Sequence, residues 1–464
     1  LSKVSPCSIL AIDNCGGFGR IYKLTKNMKF NRWFVVLGAL LIQISLGAIY
    51  IYSIFKPGLK SHFPDWSATD LALPSQIVLA FFALSMIFSG KIQDKIGPRK
   101  TATVGAIFLL VGMYVAAKAH TLAQFVFGFG VFGGVGIGAA YVCPIAACVK
   151  WFPDKRGLVT GLAVAGFGAG GLFFTPLANY FIETLGIMAT FFYLGLIYFC
   201  AIVIGAQLLK IPPAGFCPAG WTPPSMQTNL FKINRIDYST KEMIKTKQFW
   251  LLWFTYFIGC AAGLLVIMNI TNIWQSLAAV DILKAADIIS RTSFGDILKA
   301  GAEAVMAVAV FNSLGRIVWG KISDNLGREK TLMIVFSFCG AAMILLGAAV
   351  NYSVFILGAI TVGCCFGGFL ALYPAMTADH FGTKFVGENY GLMFTAYGAG
   401  GLLGPWLAPK LLNNLKTVPY ETIDATGKTI AKLLETGGYS NSLFLAGALC
   451  LLAAFLISRL KPTK

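Results

Sequence analysis

Twelve apolar runs, each near the length that carries a helix across a hydrocarbon layer, constrain this chain more than any other feature. Crossing takes about 20 apolar residues, and only helices and closed barrels satisfy their backbone polar groups without water. The runs lie near 33–55, 73–89, 102–117, 122–149, 157–182 and 187–209, and then near 248–274, 302–319, 331–349, 352–378, 389–412 and 442–460. A polar, proline-rich stretch over 210–247 separates the two sets. The expected fold is therefore an all-α membrane protein of twelve transmembrane helices in two six-helix halves. Composition supports this: 57% of the 464 residues are AVILMFWYC and only 12% are charged, against roughly 25% charged in soluble domains. A soluble enzyme, a disordered chain and a disulfide scaffold are excluded. A transmembrane barrel, with its short alternating segments, does not fit either.

The formal net charge of +18 invites a nucleic-acid reading. Its distribution argues against one, because the cations fall between the runs rather than on one helix or arm. With both termini inside, the inner segments hold about 26 of the 37 Lys and Arg, so the positive-inside rule places the termini and the central loop in the cytoplasm of an inner (plasma) membrane protein. The expected domains are an N-terminal tail over 1–32, a first half over 33–209, a linker over 210–247 and a second half over 248–464. Residues 1–27 carry no signal-peptide layout and read as a candidate upstream extension before Met28. The segment 275–301 contains DILKA twice and is expected to form a small amphipathic surface helix.

Self-comparison shows a duplication. GKIQDKIGPRKT at Gly90 recurs as GKISDNLGREKT at Gly320, and GLAVAGFGAGGLFFTP at Gly161 recurs as GLMFTAYGAGGLLGP at Gly391, both at an offset of 230. Two unrelated motifs with one offset make the halves copies. Copies of six spans build transporters whose site lies near the midplane between them. Each GK-x-x-D loop joins the second and third span of its half. Asp94 or Asp324 there can face a helix N-terminus, where a carboxylate is favoured. Arg99 and Arg328 stand among the available partners, giving a latch that breaks when the halves rock apart. A solvated basic turn of little energetic weight is the bland alternative.

At these residues the chain resembles the major facilitator superfamily over essentially 33–460, and within it the oxalate:formate antiporter family. NRWF at Asn31, GAIYIYS at Gly47, WFPDKRG at Trp151 and FTAYGAGGLLGP at Phe394 carry the resemblance. It implies alternating access and small organic anions as substrates, with a more distant similarity to the monocarboxylate transporters of animals.

Anion transport needs a cation in the low-dielectric centre, where each charge costs about 2.5–3.5 kcal/mol on insertion scales. Arg316, in FNSLGRIVWG, is the one basic residue set inside an apolar run, Lys410 and Arg459 lying at the ends of theirs. It lies close enough to the inner end to snorkel toward headgroups. Against that, Asn312 precedes it by four residues on the same helix face, and a guanidinium suits bidentate carboxylate binding. The repeat places apolar Phe82 and Met86 at these positions in the first half. The resemblance aligns Arg316 with the family's substrate-gripping arginine. Tyr397 stands where the oxalate carriers have a lysine, so a monocarboxylate of formate, lactate or pyruvate type is expected rather than a dianion.

Tyr50, Gln76, Tyr141, Phe167, Phe366 and Tyr373 could complete the pocket, although each can equally serve packing. Asn312 replaces the aspartate of the animal carriers and cannot titrate, which leaves proton symport and anion exchange both open. No Walker loop, H-E-x-x-H, G-x-S-x-G or metal-spaced cluster occurs; neither enzyme activity nor a cofactor, metal or nucleic-acid partner is expected. The lipid bilayer, a small organic anion and H+ are the expected partners of a monomer. Gly128 to Gly133 matches G-x-G-x-x-G inside an apolar run, where helix packing explains it better than a dinucleotide does. A drug or sugar efflux carrier, or a membrane sensor descended from a carrier, are the competing readings.

Overall fold

The computed structural model describes residues 30–213, 216, 218, 237–283, 291–411, 413–423 and 429–460. The candidate extension over 1–27 and most of the central linker lie outside these residues. Eleven helices among the described residues are long and apolar enough to cross a membrane. The chain divides into two compact units.

Unit 1 comprises the chain up to Lys245 together with Pro374–Leu392. Its first span is α1 (Trp33–Leu46), which tightens into a 3-10 segment over Gly47–Ile51 before α2 (Tyr52–His62). The second span, α3 (Ala68–Ile96), starts at a capping box. The Ser67 backbone N–H donates to Asp70 Oδ2 at 2.9 Å, and the Asp70 N–H donates to Ser67 Oγ at 3.1 Å, satisfying two of the donors that a helix start leaves orphaned. It ends at Gly97, whose φ of +92° suits glycine and turns the chain into α4 (Pro98–Ala117), with proline at the first helical position. Gly327, 230 residues later, has φ +94° and the same task before Arg328. The sequence repeat is thus a backbone repeat at this turn.

The fourth span begins with α5 (Leu122–Phe125), passes through a π-helical stretch over Val126–Phe132 and continues as α6 (Gly133–Trp151). Gly128 and Gly130 of the G-x-G-x-x-G match lie in this stretch and Gly133 opens α6, with no strand before them among the described residues. A Cβ on Gly128 would stand 2.7 Å from the Ala116 nitrogen, so that glycine serves close packing on α4. The fifth and sixth spans are α7 (Arg156–Leu185) and α8 (Ile187–Leu208). Within the unit, α1 packs on α7 and α8, α4 on α6 and α8, and α3 on α6. The short α9 (Thr240–Met243) follows the linker.

Unit 2 comprises Thr246–Tyr373 and Met393–Lys464. Its spans are α10 (Lys247–Leu283), α11 (Arg291–Leu326), α12 (Arg328–Gly347), most of α13 (Tyr352–Phe381), α15 (Thr395–Lys410) and α16 (Ser440–Ser458). The eleventh span is broken. An eight-residue helix, α14 (Val386–Met393), precedes a turn at Phe394, and α15 resumes after it. The strongest packing pairs α12 with α16 and α10 with α15.

One expectation is corrected. The 275–301 segment holds no separate surface helix in its described part: α10 runs on to Leu283, and the second DILKA lies inside α11. A spanning helix whose next turns stay helix-forming simply continues out of the membrane. The stretch after the eleventh span, to which the sequence assigned no element, carries an antiparallel hairpin of β1 (Asn413–Ile423) and β2 (Thr429–Gly438), paired from Asn413↔Gly438 to Ile423↔Thr429. It packs with β1 toward α11 and β2 toward α10. Residues 374–392 cluster with first-half helices in this structure.

Candidate functional site

In unit 2 the site is built on α11. One helical turn separates Asn312 from Arg316, and the Arg316 Nε donates to Asn312 Oδ1 at 3.1 Å. Arg316 is fully buried and Asn312 is 8% exposed, so this guanidinium is enclosed rather than extended toward headgroups. Close approach of α13 shapes its surroundings. A Cβ on Gly367 would stand 2.1 Å from the Asn312 carbonyl oxygen and 3.1 Å from Arg316 Cγ, and one on Gly315 would meet the Cys364 carbonyl at 2.2 Å. Glycine is required where the two backbones touch. The Asn312 amide orients the fork of the guanidinium, and burying that charge strengthens its field at a carboxylate.

The other candidate residues of unit 2 divide. Tyr397, 4% exposed, stacks on Phe394 at 4.6 Å between ring centroids and lies 6.5 Å from Phe366. Phe394 is the turn residue of the broken span, so Tyr397 sits one turn past the break. Phe366 also fills the space beside Gly263. The Tyr373 hydroxyl hydrogen-bonds Thr255 Oγ1 at 2.7 Å and its ring stacks on Tyr256 at 4.1 Å.

In unit 1, four spans bring Tyr50, Phe82, Tyr141 and Phe167 into one aromatic cluster. Phe167 lies 5.2 Å from Tyr50 and 5.1 Å from Tyr141, both edge-on, and Phe82 lies 5.1 Å from Tyr141. Phe82 is the repeat counterpart of Asn312. The same helix position thus carries an aromatic ring in one unit and the amide beside the arginine in the other. Gln43 was not anticipated. It is fully buried on α1 and its Nε2 donates to the Tyr141 carbonyl at 3.4 Å. Its signal was present, as the one amide in the run VVLGALLIQISLG. Gln76 is exposed on α3.

The latch residues also divide. Asp94 Oδ1 accepts from Lys150 Nζ at 3.1 Å, while Oδ2 accepts from the Glu388 backbone N–H at 2.9 Å. The Gly387 N–H adds a further bond to the carboxylate. Both amides lie in the first turn of α14, where the dipole favours an anion. Backbones meet here as well: a Cβ on Gly90 would stand 2.1 Å from the Gly387 carbonyl. Arg156 pairs with Asp379, and Thr240 Oγ1 donates to Asn389 Oδ1 at 3.0 Å. These bonds, with the buried contacts among Ala146, Val149, Ala378 and Val386, explain why 374–392 belongs to unit 1. Arg99 takes no part in the Asp94 pair; it donates to the Gln207 carbonyl at 2.7 Å. In unit 2, Asp324 pairs with Arg328 one turn on, at 2.7 Å. Lys150, Arg156 and Asp379 could not be matched from sequence, since their partners lie 56 and 223 residues away.

Two motifs that carried the resemblance also meet. Arg32 of NRWF makes a fork to Asp154 of WFPDKRG at 2.7 and 2.9 Å, with its guanidinium 4.4 Å from the Phe152 ring centroid.

Comparison with known proteins follows from this geometry. The family model described as Major Facilitator Superfamily matches residues 33–405 and 252–464. The chain is 28% identical to the oxalate:formate antiporter of Oxalobacter formigenes over 416 residues, covering 88% of this chain and 91% of that protein. It is 29% identical to the uncharacterized MFS-type transporter YhjX of Escherichia coli (strain K12), over 81% of this chain and 87% of the other. Identity to the apicoplast pyruvate carrier 1 of Toxoplasma gondii is 26%, over 83% and 74%. Among solved structures, the proton:xylose symporter XylE superposes with a TM-score of 0.66 at 14% identity, covering 93% of this chain and 96% of that one. That likeness speaks for the fold alone.

Proposed function

Since the chain belongs to the Major Facilitator Superfamily, and is thereby a multi-pass membrane transporter of small molecules, we propose that its cargo is a small monocarboxylate of formate, lactate or pyruvate type, carried by alternating access. One observation carries the reading: a fully buried guanidinium, Arg316, held through its Nε by Asn312. A guanidinium can give a carboxylate two parallel charge-assisted bonds, and the bond to Asn312 fixes the orientation of this one. The relatives named for oxalate, formate and pyruvate support an organic anion as cargo. Tyr397 offers a phenol where the oxalate carriers of the family have a second cation. A phenol donates one neutral hydrogen bond, so a singly charged acid fits better than a dianion.

Coupling runs by proton symport or by anion exchange, with both termini inside a plasma membrane. Asp94 and Lys150 hold the start of α14 in the state described here, and their release accompanies the conformational step. Purified protein in liposomes is expected to take up labelled formate, lactate or pyruvate by counterflow, and Arg316→Ala to abolish this while leaving the thermal unfolding profile intact. Undiminished counterflow by a folded Arg316→Ala protein refutes the assignment.

A further inference from the structure

Unit 2 contains a pair of thiols to which transport assigns no task. Cys339 on α12 and Cys450 on α16 are both fully buried, and the Cys450 thiol donates to the Cys339 sulfur at 3.8 Å. Beside the pair the two helices meet backbone to backbone. A Cβ on Gly340 would stand 3.0 Å from the Gly447 carbonyl, and one on Gly447 would stand 3.0 Å from the Gly340 carbonyl. Small residues let membrane helices approach this closely, and the approach holds the sulfurs together. Packing alone does not call for sulfur at this place: the repeat puts Leu109, an ordinary core side chain, at the position of Cys339.

We infer that Cys339 and Cys450 are an oxidation site, forming a reversible disulfide that staples α12 to α16 when the bilayer carries organic hydroperoxides. The pair lies within two membrane-spanning helices and neither sulfur is open at the surface, so an oxidant that partitions into hydrocarbon and enters as α12 and α16 part reaches it more readily than one confined to water. One sulfur attacks the terminal peroxide oxygen; the O–O bond breaks, an alcohol leaves and that sulfur becomes a sulfenic acid. The second sulfur attacks the first, the S–S bond forms, and water leaves carrying the sulfenic oxygen. The hydroperoxide takes up two electrons, the two thiols lose them, and both S–H protons depart in the alcohol and the water. Contact between the sulfurs makes the second step intramolecular, which favours it over further oxidation. A thiol reductant reverses the bond by exchange.

The chain itself supplies a clean test. A protease site inserted between Ile423 and Thr429 divides the protein so that the C-terminal fragment holds a single cysteine, Cys450. Cleaved protein in liposomes is treated with cumene hydroperoxide, capped with N-ethylmaleimide and run on a non-reducing denaturing gel. Most of the C-terminal fragment is expected to migrate joined to the N-terminal fragment, to be released by dithiothreitol, and to separate in Cys339→Ser but not in Cys365→Ser. Hydrogen peroxide at equal concentration should link less than a tenth as much. Separation of the fragments after oxidation, linkage that persists in Cys339→Ser, or equal linkage by hydrogen peroxide overturns the proposal. Peptide mass spectrometry of the oxidised wild-type protein reads the same Cys339–Cys450 bond directly, and another partner for Cys450 contradicts it even where a variant fails to fold.

Discussion

At the scale of single residues, the proposed chemistry turns on the shape of one side chain as much as on its charge. Arg316→Lys keeps a cation but gives up the planar fork, and an ammonium cannot both serve Asn312 and make two parallel bonds to a carboxylate. Counterflow should therefore fall at least tenfold in Arg316→Lys, and wild-type rates in that variant would place the substrate elsewhere. Tyr397→Lys tests the charge count. Adding a second cation should raise uptake of oxalate relative to formate by about tenfold, roughly 1.4 kcal/mol of differential binding; an unchanged ratio of initial rates would remove Tyr397 from the specificity argument. The Arg316 and Asn312 pair was legible because a helix brings residues four apart onto one face. Gln43 was equally visible as an isolated amide, yet nothing local marks which carbonyl it reaches. Tyr373 shows the converse. An aromatic beside a proline looks available until Thr255, 118 residues away, takes its hydroxyl.

At the scale of elements, close backbone contact decides what substitutions are tolerated. Gly367 lies where α13 crosses the Asn312 carbonyl. Gly367→Ala should lower stability by about 1–3 kcal/mol, the usual cost of overpacking. Gly367→Val should also impair binding, because it pushes on the helix turn that carries Arg316; a thermal melt alongside counterflow reads both effects. The Asp94 latch makes a graded prediction. Asp94→Asn keeps an acceptor for the α14 amides but loses the ion pair with Lys150, whereas Asp94→Ala loses both and leaves Lys150 with no charged partner on α3. Protease access to 382–386 should rise in the order wild type, Asp94→Asn, Asp94→Ala, and equal access in all three would deny the latch its role. Span existence was legible from apolar length, and the turns at Gly97 and Gly327 from the repeat. The break at Phe394, the hairpin after α15 and the outward run of α10 and α11 were not legible. Each depends on tertiary contacts or on helix continuation that an apolarity count does not register.

At the scale of the whole molecule, a duplicated sequence has produced two units of different chemistry. The second span of unit 1 puts Phe82 into an aromatic cluster, and its counterpart in unit 2 carries Asn312 and Arg316. The units also exchange a segment relative to the sequence repeat, since 374–392 is tied to first-half helices by Asp94, Arg156 and Thr240. The duplication was readable from two motifs at one offset; the reassignment of 374–392 was not, because ion pairs between residues more than 200 positions apart leave no local trace. The central claim is that a buried guanidinium selects a singly charged acid. Ligand-induced thermal stabilisation tests it most directly, because anything that binds only the folded state raises its melting temperature. Formate, lactate or pyruvate should stabilise the wild-type protein more than oxalate does at equal concentration, and Arg316→Gln should lose the shift while retaining its ligand-free melting temperature. A monocarboxylate shift that survives Arg316→Gln, or a wild-type protein that answers only to oxalate, would contradict the account.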